Sequence, residues 1–161
     1  MKLCFATCLA VVILPVALHA QEFALGVGKA DYRDAGTDGG IFALDYRHKP
    51  FRENRISSFA VGGAVSLTEE GDFFVGAGLS TRWQWDSGWF VESSVMPGLY
   101  EEGTAGNDLG STFEIRSLLG IGYRFENGRA VSAAISHKSN AGLASDNPGV
   151  NSYTIRYHFP F

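Results

Sequence analysis

An alternation of apolar and polar residues with a period of two constrains this chain most, and it recurs in eight segments after residue 20. In segment 112–125 one parity carries large apolar side chains, such as Phe113, Ile115 and Ile121, and the other carries mostly glycine or charge. A period of two is typical of β-strands with one apolar face. The pattern predicts strands at 22–31, 40–48, 56–66, 73–85, 89–100, 112–125, 129–139 and 151–161.

Turn-forming residues separate these segments. Asn127-Gly128 is a strong hairpin signal, because both residues tolerate positive φ, and Asp86-Ser87-Gly88 forms a similar short turn. Longer polar stretches at 101–111 and 140–150 predict loops. Short turns thus alternate with longer connections, as in an up-and-down antiparallel sheet.

Composition supports a single all-β domain. The 161 residues include 20 glycines, 13% aromatic and only 19% charged residues, which suits a barrel better than a helical bundle or a disordered chain. The net charge of -4 argues against a generic nucleic-acid binder. After the N-terminus no apolar run approaches the roughly 20 residues that a membrane helix needs.

Residues 1–20 have the pattern of a signal peptide. Lys2 precedes an apolar stretch that ends at the small residue Ala20. Cys4 and Cys8 both lie in this stretch, so the expected mature domain, 21–161, has no cysteine for a disulfide, a nucleophile or a metal site.

Two architectures share this alternation. A soluble, lipocalin-like carrier turns its apolar face inward, whereas an outer-membrane barrel turns it toward lipid. Strands of about ten residues, aromatic residues near the strand ends and the final Phe161, which resembles the signal for the outer-membrane assembly machinery, favour the membrane barrel. We therefore predict an eight-stranded antiparallel up-and-down transmembrane β-barrel, with short periplasmic turns and with 101–111 and 140–150 outside.

Three polar residues interrupt the predicted lipid-facing rows at the external end. His137 and Ser139 continue the apolar parity of segment 129–139, and Asn151 opens that of segment 151–161. Because these segments are antiparallel neighbours, the three side chains should converge on the outer wall. Ordinary interfacial polar residues would also be tolerated there, since the cost of polarity falls toward the membrane surface.

The chemical interpretation is a serine hydrolase. His137 would take the proton of Ser139, which attacks an ester carbonyl, and Asn151 would orient the imidazole, with Asp146 as a rival for that role. Oxyanion-stabilising or substrate-positioning groups would come from the loop that follows, and the candidates are Asn140, Gly142 and Asn147.

The stretch His137-Lys138-Ser139-Asn140, followed by Asn147-Pro148-Gly149, resembles the His-x-Ser-Asn and Asn-x-Gly signature of the lipid A 3-O-deacylases, the PagL family. The resemblance is sharpest over 134–161. It implies an eight-stranded outer-membrane barrel that removes the ester-linked acyl chain at position 3 of lipid A without a metal or other cofactor. The family's third site position is Glu or Asn, and here it is Asn151.

A site on the outer wall would face the outer leaflet, where lipid A lies, with acyl chains along Ile135, Tyr153 and Ile155. Lys138 or Arg33 could supply positive charge for the phosphates, although Lys138 has inward parity. We expect His158 to be buried in the lumen, and charges such as Glu92 and Arg156 to form a luminal network. A homodimer stays open, and the competing function is a non-enzymatic barrel with a structural or binding role.

Overall fold

The computed structural model describes residues 21–32 and 36–161. The predicted signal peptide, 1–20, and Arg33 lie outside these residues. The strands are β1 (Glu22–Asp31), β2 (Gly39–Arg47), β3 (Arg52–Glu53), β4 (Ser57–Thr68), β5 (Phe73–Gln84), β6 (Trp89–Glu101), β7 (Phe113–Arg124), β8 (Ala130–Ser139) and β9 (Val150–Pro160).

Eight long strands close into an antiparallel barrel. Strands β4 to β8 each pair with the next strand along the chain. β9 pairs with β1, β1 pairs with β2, and the pairing of β2 with β4 closes the barrel. Closure leaves none of the long strands with an unpaired edge. The predicted fold is confirmed, and every long strand begins and ends within two residues of its predicted bounds.

The short strand β3 was not among the eight predicted strands. The two-residue β3 pairs with the start of β4, with Arg52 opposite Phe59, and it extends the β2–β4 hairpin past the barrel wall. Pro50 lies in the break between β2 and β3, where it has no N–H to donate to a ladder. This explains why the connection 48–56 is longer than a tight turn.

The barrel wall is apolar and its lumen is charged. Outward residues such as Val27, Leu119 and Ile155 are 60%, 56% and 64% exposed. A lipocalin-like carrier would show the reverse arrangement, so that alternative is excluded. Within residues 21–32 and 36–161, no helix is long and apolar enough to cross a membrane.

Ion pairs fill the lumen, as predicted. Arg82 bridges Glu22 and Glu92, at 2.6 and 3.2 Å, and Arg156 bridges Glu92 and Asp45, at 2.7 and 3.1 Å. Buried charges are tolerated when they are paired in this way. Among the described residues, the other buried charged and histidine side chains are Asp72, Glu114, Arg116, Lys138 and His158.

Of these side chains, His158 agrees with the prediction and Glu114 departs from it. His158 is fully buried and its ring contacts Ser132 Oγ and Glu22 Oε1, each at 2.8 Å, as expected of a satisfied luminal histidine. Glu114 is also fully buried, but neither of its carboxylate oxygens has a hydrogen-bond partner among the described residues. The luminal network therefore ends before it reaches Glu114.

Candidate active site

The register of β7, β8 and β9 builds a polar row across the outer wall. His137 lies opposite Asn151 on β9 and opposite Ser117 on β7. Ser139 is two residues further along β8, on the same face. His137 is exposed, while Ser139 and Asn151 are half-buried. The outward parity predicted for all three residues is confirmed.

The His137 ring is held from β9. Its Nδ1 lies 2.9 Å from Asn151 Oδ1, which fixes Nδ1 as the donor, because an amide oxygen only accepts. Nε2 and Ser139 Oγ make no hydrogen bond among the described residues. Asp146 makes no contact of this kind with the ring, so the structure places Asn151 rather than Asp146 beside Nδ1.

Gly149 packs against the same imidazole. A Cβ added at this glycine would lie 2.9 Å from His137 Cε1 and 3.3 Å from Nε2, and the residue has a φ of 69°. Both the left-handed backbone and the close approach require glycine here. His137 is thus confined between a side chain of β9 and the backbone that leads into β9.

Asn140 organises the loop between β8 and β9. Its backbone N–H donates to Asn147 Oδ1 at 3.0 Å, and its Nδ2 donates to the Asp146 carbonyl at 2.7 Å. Its Oδ1 accepts the Gly142 N–H at 2.9 Å. The Gly142 N–H is therefore already engaged, whereas the Asn147 Nδ2 group makes no hydrogen bond among the described residues and is available to a ligand.

The loop between β6 and β7 supports this arrangement. Asn140 Nδ2 also lies 3.2 Å from the Leu109 carbonyl, and a Cβ on Gly110 would lie only 2.1 Å from the Asp146 carbonyl oxygen. Leu109 and Asn140 are both fully buried. The two external loops therefore pack directly on each other.

A buried carboxylate anchors the supporting loop. Asp72, 1% exposed, accepts hydrogen bonds from the Tyr32 hydroxyl at 2.7 Å, from Asn107 Nδ2 at 2.8 Å and from the Gly103 N–H at 2.8 Å. Sequence reasoning missed this cluster, because an aspartate beside Gly71 in a turn looks like a solvated residue. Its partners come from two other connections, those that follow β1 and β6, so no local sequence pattern predicts the cluster.

Comparison with known proteins identifies the family. The family described as "Lipid A 3-O-deacylase (PagL)" matches residues 42–160, which include the whole polar row on β8 and β9. The chain belongs to the PagL family. A curated relative, lipid A deacylase PagL of Pseudomonas aeruginosa, is 33% identical over 72 residues, which span 44% of this chain and 42% of that protein.

Solved structures agree on the fold. The crystal structure of the outer membrane enzyme PagL superposes with a TM-score of 0.72 and 21% identity, covering 87% of this chain and 99% of that one. Neisserial surface protein A (NspA) matches with a TM-score of 0.57 and 11% identity over 88% of this chain and 96% of its own. These likenesses show the fold, so the chain is a β-barrel of the PagL family.

An apolar depression lies beside the polar row. It has a volume of about 560 Å³. Ile135 and Tyr153, which line it, face each other one step along the ladder from His137 and Asn151. The small side chain of Ala133 lies next to them, between the larger residues Ile121 and Ile155, and so leaves space in the outer wall. The depression has the chemistry of a groove for hydrocarbon chains.

Lys138 does not contribute to the rim of this PagL-family site. Its side chain points into the lumen, 2% exposed, and its Nζ lies 5.2 Å from the centre of the Tyr100 ring and 5.6 Å from that of Phe74. The expectation that Lys138 meets lipid A phosphates is wrong, because alternation on β8 sends it inward between His137 and Ser139. Among the described residues no group of three His, Cys, Asp or Glu could hold a metal ion.

Proposed function

We propose that this chain is a lipid A 3-O-deacylase that uses Ser139 as nucleophile and His137 as base. One observation carries the proposal: Asn151 orients the imidazole of His137 through Nδ1 and leaves Nε2 uncommitted, while Ser139 lies two residues further along β8 on the same outward face. A base oriented by a third group next to a hydroxyl is the arrangement of a serine hydrolase. Membership of the family supports lipid A as the substrate.

The reaction needs two transfers. Ser139 Oγ attacks the ester carbonyl while Nε2 of His137 takes its proton, and the same proton passes to the departing sugar 3-oxygen as the ester bond breaks. Water, deprotonated by His137, then releases the acyl chain from Ser139 as a carboxylic acid. In the second step His137 returns the proton to Ser139 Oγ, so the reaction needs only water and no cofactor.

The oxyanion of the intermediate needs donors. The Asn147 Nδ2 group is the best placed of the predicted donors, because Asn140 fixes the opposite end of that amide. Asn140 and Gly142 hold the loop, and the Gly142 N–H would have to leave Asn140 Oδ1 before it could donate to substrate. We therefore assign Asn147 to oxyanion stabilisation and the other two to positioning.

The location of the site determines how substrate arrives. Lipid A lies in the outer leaflet, so it reaches the outer wall by lateral diffusion and does not enter the charged lumen. The apolar depression beyond Ile135 and Tyr153 would hold the scissile acyl chain. The ester carbonyl would then lie at the rim, beside Ser139.

Mass spectrometry of lipid A tests the proposal. Cells that express the wild-type chain should lose one ester-linked hydroxyacyl chain, and cells that express Ser139→Ala should retain it. Ser145→Ala, which removes an exposed hydroxyl from the adjoining loop, is the matched control and should behave as wild type. If wild type acts neither in cells nor on purified lipid A in detergent, while the barrel is assembled, a non-enzymatic barrel is the correct assignment.

A further inference from the structure

The apolar depression beside the polar row has a definite length along the outer wall. Its lining includes two outward rows across β7, β8 and β9, which are Leu119, Ile135 and Tyr153, followed by Ile121, Ala133 and Ile155. The next row away from the site consists of Tyr123, Val131 and Tyr157, and these three residues lie outside the lining. The depression therefore begins beside the polar row and ends two rows later.

Ala133 makes the far end of this depression. It is the small member of its row, because Ile121 lies opposite it on β7 and Ile155 lies opposite it on β9, and both isoleucines are exposed. In the row beyond, the Tyr123 ring packs edge-on against Trp89, with ring centres 5.6 Å apart. The space above Ala133 is thus bounded by large side chains on both flanks and by an aromatic row at its end.

The separation of Ala133 from Ser139 sets a chain length. At about 3.3 Å per residue along β8, Ile135 lies about 13 Å from Ser139 and Ala133 lies about 20 Å from it. An extended hydrocarbon chain advances roughly 1.25 Å per carbon, because its zigzag C–C bonds are about 1.5 Å long. An acyl chain of ten carbons whose carbonyl lies beside Ser139 therefore ends near Ile135. A chain of sixteen carbons, about 19 Å long, ends at Ala133.

We propose that Ala133 is a specificity-determining residue, whose small side chain admits acyl chains that extend past Ile135 into the end of the depression. The inference rests on the proposed function and adds long-chain esters to its substrate class. Selection is by shape, because a chain end displaced from the wall meets lipid tails that are equally apolar. Filling the space therefore costs packing contacts and not burial from water, which keeps the effect near tenfold.

Competition between two substrates tests the proposal. Two synthetic lipid A molecules, which differ only in carrying a ten-carbon or a sixteen-carbon 3-hydroxyacyl chain at position 3, are mixed in the same detergent micelles. Mass spectrometry follows the release of each acid, and the ratio of the two rates is the ratio of kcat/KM. Wild type should release the two chains at rates within about threefold of each other. Ala133→Ile should lower the release of the longer chain relative to the shorter about tenfold.

The matched control is Ala77→Ile. Ala77 is an exposed alanine of β5, opposite Gly63 on β4, and it lies outside the depression. The substitution adds the same atoms to the outer wall and should leave the ratio as in wild type. An unchanged ratio in Ala133→Ile, or an equal change in both variants, would overturn the role of Ala133. A wild-type chain that releases only the ten-carbon chain would overturn it too.

Assembly is measured by heat-modifiability on gels. Ala133→Ile should assemble, because isoleucine suits a strand and already occupies both neighbouring positions of the row. If it does not, Ala133→Val should lower the ratio about threefold, and a wild-type ratio in that variant overturns the inference. A wild-type chain that releases neither acid overturns the proposed function as well. Release of both acids by wild type, with the same ratio in the Ala133 variant, overturns only the inference.

Discussion

The side-chain amide of Asn140 donates a hydrogen bond to the backbone carbonyl of Leu109 at 3.2 Å, and this contact joins the two external loops that flank the site. Both residues are fully buried although they belong to loops. Loops on a protein surface are usually solvated and mobile. Here the loop that follows Ser139, the proposed nucleophile, has a packed interior of its own, which fixes Asn147 relative to Ser139.

Asn140→Ala should therefore lower kcat by about 10–100-fold, because the oxyanion donor loses its fixed position. The barrel should still assemble, since the substitution changes only contacts in the external loops. Steady-state kinetics on purified lipid A in detergent measures the effect. Asn127→Ala is the control: its side chain also accepts a backbone N–H, from Arg129 at 3.0 Å, but it lies at the periplasmic end. Equal rates for the two variants would contradict the role of Asn140.

Gly149→Ala should nearly abolish activity. The new methyl group would lie 2.9 Å from His137 Cε1, and the imidazole would have to leave Asn151 to avoid it. The control is Gly106→Ala, which has a φ of 70° against 69° at Gly149, but no atom within 4 Å of an added Cβ. Both variants carry the same backbone cost, so a large difference in kcat isolates the contact with His137. Similar kcat values for the two would show that backbone strain, and not the imidazole contact, matters.

Asn151→Ala should lower kcat/KM by roughly 10–100-fold, because a base that is free to rotate spends less time in its productive orientation. Ser117→Ala removes the other polar neighbour of His137 in the same row and should change the rate less than twofold. Hydrolysis of lipid A by the two purified variants, measured side by side, checks this. If the Asn151→Ala variant were as fast as Ser117→Ala, Asn151 would have no role in orienting His137.

Asp72→Asn should destabilise the external end of the barrel in a pH-dependent way. Burial alone would raise the pKa of Asp72, but hydrogen bonds from Asn107, Tyr32 and the Gly103 N–H outweigh it and hold the pKa below its usual value. Stability from a lowered carboxyl pKa is present above the unfolded value, about 3.9, and is lost as the pH falls through the folded value.

The difference between wild type and Asp72→Asn should therefore be about 1–3 kcal/mol near pH 7 and should shrink below about pH 4. Thermal unfolding of the detergent-solubilised barrel across this pH range measures it. Asp45→Asn, which breaks the luminal pairs with Arg116 and Arg156, is a useful comparison because its partners are cationic and lie away from the loops. A difference at Asp72 that is independent of pH would contradict the charged state of its carboxyl group.

Local sequence patterns are enough to predict the strands and the face on which each side chain lies, and they bring His137, Ser139 and Asn151 onto one face. These properties are local, because a period of two assigns every side chain to one face once the strand is recognised. His137, Ser139 and Asn151 come from adjacent hairpin strands, so their convergence also follows from the chain order. The short β3 escaped prediction because two residues contain no period.

Contacts between residues that are distant in the chain follow from the tertiary fold and from no local pattern. Closure of the barrel sets Asp31 opposite Asn151, and the packing of the external connections brings Asn107 to Asp72 and Leu109 to Asn140. Such contacts depend on the stagger at which the sheet closes and on how the external loops pack at the end of the barrel. The alternation of residues within a single strand predicts neither.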